Sequence, residues 1–180
     1  MIYGERIRFR RVERSDLPTY VRWISEPEVR RGISMIQPMS MVEEENWFEN
    51  MLKRPTLEHP FAVEIRDGEG WQHIGSVGLF GIDWRSRSAE FGIMLGDKSV
   101  WNQGYGTETA RLMLKHAFEM LNLNRVWLLV FEFNKGGIRA YEKAGFVHEG
   151  TMREREFKFG RYWDLHMMSI LRSEWDEQNA

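Results

Sequence analysis

Asn134 and Tyr141 stand seven residues apart in the stretch NKGGIRAYEKAGF. On a helix that spacing is almost two turns, so both side chains can point toward the same cleft. A tyrosine hydroxyl can deliver a proton, and an asparagine can hold an amide or carbonyl without adding charge. The structural readings of the same residues are a core aromatic for Tyr141 and a helix cap for Asn134. A second stretch, WNQGYGTETA, runs from Trp101 to Ala110 and sets Gly104 and Gly106 directly ahead of a helical run. Glycine lets a ligand come close to bare backbone amides. The first-turn N–H groups of a helix lack internal partners, and the helix dipole draws anions to that end. The loop is a candidate phosphate cradle, with an ordinary helix start as the plainer reading.

Two nucleotide motifs fail on residue identity. A P-loop needs a lysine where Thr107 stands, and a dinucleotide fingerprint needs a third glycine where Thr109 stands. What survives is strand, glycine loop and helix, with the amides around Gln103, Gly104, Tyr105, Gly106 and Thr107 open to an anion. His73 and His166 fall in strand-like segments as packed or hydrogen-bonded residues. No His, Asp or Glu cluster has metal-ligand spacing, so no metal is assigned. The chain has no cysteine, which excludes disulfides, thiolate ligands and cysteine nucleophiles.

These residues need a scaffold, and 180 residues with 42% apolar and 29% charged content suit one domain spanning positions 1–180. A net charge of −2 gives no reason to expect nucleic acid or an anionic membrane as partner. Arg6, Arg8, Arg10, Arg11 and Arg14 read as a solvated strand face. The start MIYGERIRFRR has no signal-peptide core, and no apolar run approaches membrane-spanning length. A soluble, cytoplasmic protein is expected.

The periodicities predict an element order. RIRFR alternates as a strand with one wet face. A helix capped at Ser15 or Asp16 buries Leu17, Tyr20, Val21 and Ile24, and Pro27 discourages its continuation. Ser40 and Glu43 make a capping box for a second helix with Trp47, Phe48, Met51 and Leu52. Glu43, Glu44 and Glu45 complement the dipole at its start. FAVEIRDGEGWQHIGSVGLFGID forms two strands around the Asp67–Gly70 turn, and AEFGIML a third. A helix from about Thr107 to Leu121 precedes RVWLLVFEF, which reads as a strand buried on both faces. KGGIRAYEKAGF is a short helix closed by Gly145. TMREREFKF and YWDLHMMSIL make a hairpin across Gly160 and Arg161. The fold class is α+β (mixed α/β), built on one sheet.

With both stretches in hand, the chain resembles the GNAT superfamily of N-acetyltransferases. WNQGYGTETA is similar to its acetyl-CoA pyrophosphate loop, and NKGGIRAYEKAGF to its Asn-then-Tyr signature ending in Gly-Phe. The segments IGSVGLFGIDWRSRSAEFGIML and FGRYWDLHMMSI resemble the branch of ribosomal-protein-alanine and spermidine N-acetyltransferases. One departure is Trp101, where the superfamily pattern has Gln or Arg.

The resemblance implies a largely antiparallel sheet that splays between two parallel strands, flanked by helices. Acetyl-CoA enters that splay as the sole cosubstrate. Its arm would pair with Ile93, Met94 and Leu95, and its pyrophosphate with Gln103 to Thr107. Asn134 would bond near the thioester. An amine then attacks directly, and Tyr141 protonates the departing thiolate. Glu90 is the leading candidate to orient or deprotonate the amine, against the reading of a solvated strand glutamate; Asp83 and Asp164 are weaker. The acceptor is a small-molecule amine such as a polyamine, or a protein N-terminal amine. The other class of function is a non-catalytic acyl-CoA-binding sensor or scaffold. Self-association into a homo-oligomer is compatible with either.

Overall fold

Period-two alternation shapes the first long strand of the computed structural model, which describes residues 1–179. In β2 (Ile7–Arg11), Ile7 and Phe9 are fully buried. Arg8 and Arg10 face the other way. They are not solvated. Arg8 and Arg10 hold Glu64 at 2.6 and 2.7 Å, and Arg10 also makes a two-pronged contact with Asp16. The expected wet face is a partly buried ion-pair network, because its acidic partners come from elements remote in sequence.

After β1 (Ile2–Tyr3) and β2 come α1 (Leu17–Ser25), α2 (Pro27–Arg31) and α3 (Met41–Leu52). Strands β3 (Phe61–Asp67), β4 (Gly70–Asp83) and β5 (Ser88–Leu95) follow. Next are α4 (Tyr105–Lys115), β6 (Arg125–Phe131), α5 (Lys135–Ala144), β7 (Val147–Lys158), β8 (Arg161–Leu171) and α6 (Arg172–Gln178). One sheet holds all eight strands in the order β1-β2-β3-β4-β5-β6-β8-β7. Every neighbouring pair is antiparallel except β5 with β6. The expected fold class holds.

Two apolar clusters cover opposite faces. One packs α4, Ala144 of α5 and Trp175 of α6 on Ile7, Phe9, Val63, Leu79, Phe91 and Leu128. The other packs α1, α2 and α3 around Tyr20, Trp23 and Ala62. Ala62 and Val63, adjacent in β3, go to different clusters, as alternation requires.

Several expectations are refined. The first helix stops at Ser25, but Pro27 then opens α2 as its first residue. Proline fits there because that N–H has no helical partner anyway. Helix α4 starts earlier than expected and ends in a π-helical turn at His116–Met120. In β6, Val126, Leu128 and Val130 are buried while Trp127 and Leu129 are half-buried, so one face dominates. The last hairpin turns on Phe159–Gly160, because Lys158 pairs with Arg161. Both turn residues have positive φ, 54° and 77°. Helix α6, with buried Trp175, follows the hairpin and has no counterpart among the expected elements. The Ser40–Glu43 capping box forms as expected, and Gly145 ends α5 at φ 106°. No helix among the described residues is long and apolar enough to cross a membrane.

Candidate active site

The single parallel pair in the sheet is short. Ser88, Ala89 and Glu90 pair with Arg125, Val126 and Trp127, and there the pairing stops. β5 continues to Leu95 bonded only to β4, and β6 continues to Phe131 bonded only to β8. The strands therefore part beyond Glu90 and Trp127, leaving one edge of β5 without a strand partner. A cavity of about 580 Å³ lies alongside. Ile93, Met94, Leu95, Gly104, Gly106, Thr107, Asn134 and Tyr141 all line it.

Gly104 is the N-cap of α4, with φ 88° and no capping side chain. An L-residue would be strained at that φ, which is why glycine stands there. The amides of Tyr105, Gly106 and Thr107 form the uncapped first turn at the cavity. That is a fit for an anionic group such as a pyrophosphate. Gln103 and Tyr105 do not line the cavity with the rest. The Gln103 side chain donates to the Ser99 carbonyl at 2.7 Å. The Tyr105 ring lies under Arg6, whose guanidinium also donates to the Gln103 carbonyl and to Glu108. Both residues brace the loop from behind. Arg6 is thus a support of the loop and not a free surface charge.

Trp101, the departure from the expected pattern, also lines the cavity. Its indole N–H donates to the Leu95 carbonyl at 2.9 Å, so one acceptor of the free β5 edge is already taken. Asn134 does what a cap does: its Oδ1 accepts the Gly137 N–H at 2.9 Å. Gly137 must be glycine for that approach, since a Cβ would lie 2.7 Å from Asn134 Nδ2. Asn134 thus caps α5 and also lines the cavity.

Tyr141 packs its ring edge-on to Phe91, 6.0 Å between centroids. Burial pushes its hydroxyl pKa up to about 12. The group therefore keeps its proton at neutral pH. Glu90 sits at the closed end of the wedge, flanked in register by Phe80 and Trp127, and does not line the cavity. Burial raises its carboxyl above the ordinary value. Asp83 receives the N–H groups of Arg85 and Ser86, and Asp164 that of Glu154, so both are structural. His73 binds the Gly75 carbonyl, and His166 meets Thr151, as expected of packed histidines.

Sequence reasoning missed the basic side chains of the wall, Arg31, Arg139 and Lys143. The last two are four apart on α5 and could have been found as a one-sided pair. With Glu28 as the acidic residue of the same lining, these three cations leave the wall net positive, which suits a ligand carrying phosphate charges. No group of three or more His, Asp or Glu among the described residues is placed to hold a metal.

The chain matches the acetyltransferase (GNAT) domain over residues 6–147. It is 31% identical to the spermidine N(1)-acetyltransferase of Vibrio cholerae over 175 residues, 96% of each chain. It is 29% identical to the uncharacterized N-acetyltransferase p20 of Bacillus licheniformis, over 97% of each. Its fold superposes on a crystal structure of the Vibrio cholerae spermidine N-acetyltransferase, in complex with CoA and spermine, with a TM-score of 0.87. That pair is 28% identical and covers 96% of this chain and 99% of the other.

Proposed function

The chain belongs to the GNAT family of acetyl-CoA-dependent N-acetyltransferases, and from that premise we propose direct acetyl transfer to a primary amine, with a polyamine as acceptor. One observation carries the reading. The parallel strands part beyond Glu90 and Trp127, and Tyr141 lines the cavity alongside.

The first-turn amides of α4 hold the pyrophosphate, with Arg139 and Lys143 opposite; Gln103 and Tyr105 contribute through main chain and bracing. The free edge of β5 at Ile93, which shares its outward direction with the Leu95 carbonyl, pairs with the peptide-like arm of the cosubstrate as an added strand would, with Met94 lining the cavity beside it. Asn134 offers its amide nitrogen to that arm. Acetyl-CoA supplies an acyl group already activated as a thioester. Glu90 orients the amine and takes up its proton, directly or through water, a task helped by its raised pKa. As the nitrogen–carbon bond forms and the carbon–sulfur bond breaks, Tyr141 gives its proton to the sulfur and recovers one from solvent.

The polyamine assignment is supported by the Vibrio cholerae relative, which aligns over nearly the whole chain and is named for spermidine. Thiol release from acetyl-CoA, measured across spermidine, spermine, amino acids and peptides with free N-termini, tests it. Mass spectrometry of each product identifies the acceptor. Preferred acetylation of a polyamine is the expected result. Preference for a peptide N-terminus would overturn the acceptor. Tight acetyl-CoA binding with no thiol released to any amine would make the protein a non-catalytic binder.

A further inference from the structure

We propose that Lys158 is a positioning residue: from the β7–β8 hairpin it holds residues 30–35 in place as one wall of the transfer cavity. The Nζ donates to three backbone carbonyls, those of Arg30 at 2.7 Å, Ile33 at 2.5 Å and Met35 at 3.2 Å. An ammonium has three N–H donors, and here each has its own acceptor. Lys158 is 7% exposed and forms no ion pair with a carboxylate among the described residues. Its charge is met instead by carbonyl dipoles and by the faces of Phe131 and Phe159, 5.2 and 5.7 Å away.

The three carbonyls belong to the end of α2 and the irregular segment after it. The C-terminal end of a helix carries partial negative charge, so a cation is well placed there. This one arrives from a strand 128 residues further along the chain. Within the segment, the local backbone hydrogen bonds are long: Gly32 N–H to Val29 and Ile33 N–H to Arg30, both 3.3 Å. Val29 is buried in the cluster under α1 and α3, with Ile33 and Met35 packed against it, and the Arg30 guanidinium donates to the Ile24 and Ser25 carbonyls at 2.8 Å. These contacts hold side chains, while Lys158 adds the long-range ties to the backbone carbonyls of the irregular segment.

The position matters because Val29, Arg31, Gly32 and Ile33 line the cavity, facing Phe133 and Asn134. A Cβ on Gly32 would stand 3.6 Å from Asn134 Nδ2, so the wall comes within contact of the α5 cap. Arg31 in turn lies over the rings of Phe133 and Phe159, tying the wall to both the β6 end and the hairpin tip. A side chain that does not itself line the cavity thus helps hold the wall between α2 and α5 in place from outside. Arginine would not serve equally, because its planar fork cannot aim three N–H groups at converging carbonyls.

Lys158→Met keeps the length and apolar stem but removes all three donors. Loss of three hydrogen bonds to a charged donor should speed amide exchange across residues 30–36 by about tenfold or more, with α4 and the sheet unchanged. The KM for the amine should rise about tenfold while kcat changes far less, since no reacting group is touched. Lys158→Gln is the milder variant if the first does not fold. Unchanged exchange at 30–36 overturns the proposal, even if KM moves. Faster exchange with an unchanged KM overturns the link to the cavity. The kinetic half rests on the acetyl-transfer reading and the exchange half does not. If the parent acetylates no amine, that reading fails, and exchange still decides whether Lys158 holds the wall.

Discussion

Glu90 and Tyr141 stand on opposite faces of the sheet. The Tyr141 ring meets Phe91 on the face covered by α4 and α5. Glu90 precedes Phe91 in β5, so its side chain points to the other face. Strand pairing ends at Glu90 itself, and the gap beyond joins the two faces. A proton can be taken on one side and given on the other without the two groups competing. Replacing either should therefore change turnover by a separate route.

Glu90→Gln should lower turnover by about 100-fold or more, the lower end for loss of a general base. Acetyl-CoA affinity, read by calorimetry, should barely change. Because burial raises this carboxyl, the acidic limb of kcat/KM should lie above the ordinary carboxylate value of about 4.3. The variant should lose that limb. Equal rates and an unshifted profile would leave Glu90 a strand residue only.

Gly104 and Gly106 should fail in different ways. At φ 88°, Gly104→Ala forces a left-handed conformation that costs about 1–2 kcal/mol, visible in denaturant unfolding. Gly106 has room for a Cβ, with Leu95 Cδ1 at 3.7 Å and Ala140 Cβ at 3.8 Å. Gly106→Val should therefore fold, crowd the cavity with its methyls, and weaken acetyl-CoA binding by about tenfold, or about 1.4 kcal/mol. Calorimetry showing parental affinity would remove the loop from the binding site.

What could be read in the sequence was local. Ser40 caps a helix with a glutamate three residues on, and Gly145 ends one, because each partner lies within a turn. The helix start at Gly104 is legible for the same reason, and Tyr141 falls on the cavity wall with Gly104 and Gly106. The failures are long-range. Arg8 and Arg10 looked solvated because Glu64, from β3, supplies their charge partner. Pro27 does mark the end of α1 at Ser25; what its local signal leaves out is that the same missing N–H suits the start of α2. Arg31 joins the wall through a chain reversal that no periodicity reports. Lys158 finds its carbonyls more than a hundred residues away.

Glu44 gives a pH-dependent stability. It is 3% exposed, and burial pushes its carboxyl up from 4.5 to about 7. A raised folded-state value means the contribution is fully present below the unfolded value and is lost as pH rises through about 7. The loss by pH 8 should be about 3 kcal/mol. His73 runs the other way, since burial lowers its pKa and its contribution is lost as pH falls. The difference between parent and Glu44→Gln isolates the glutamate. Urea unfolding from pH 5 to 8 should show the parent losing stability relative to the variant. Parallel curves would mean Glu44 ionises freely in the fold.

Tyr141→Phe removes one oxygen and keeps the ring against Phe91, so packing and acetyl-CoA affinity should hold. Since burial lifts the hydroxyl to about 12, Tyr141 is protonated throughout the neutral range and should impose no alkaline limb there. Loss of a general acid should cost about 100- to 10,000-fold in turnover. The size of the deficit should depend on the leaving group. A thiol with pKa near about 8.5 departs partly unprotonated, and a more acidic thiol needs still less help. Acetyl thioesters of increasingly acidic thiols should therefore shrink the ratio of parent to variant rates. A ratio that stays constant along that series would mean Tyr141 shapes the cavity without delivering the proton. A variant as fast as the parent with acetyl-CoA would place the proton donor elsewhere.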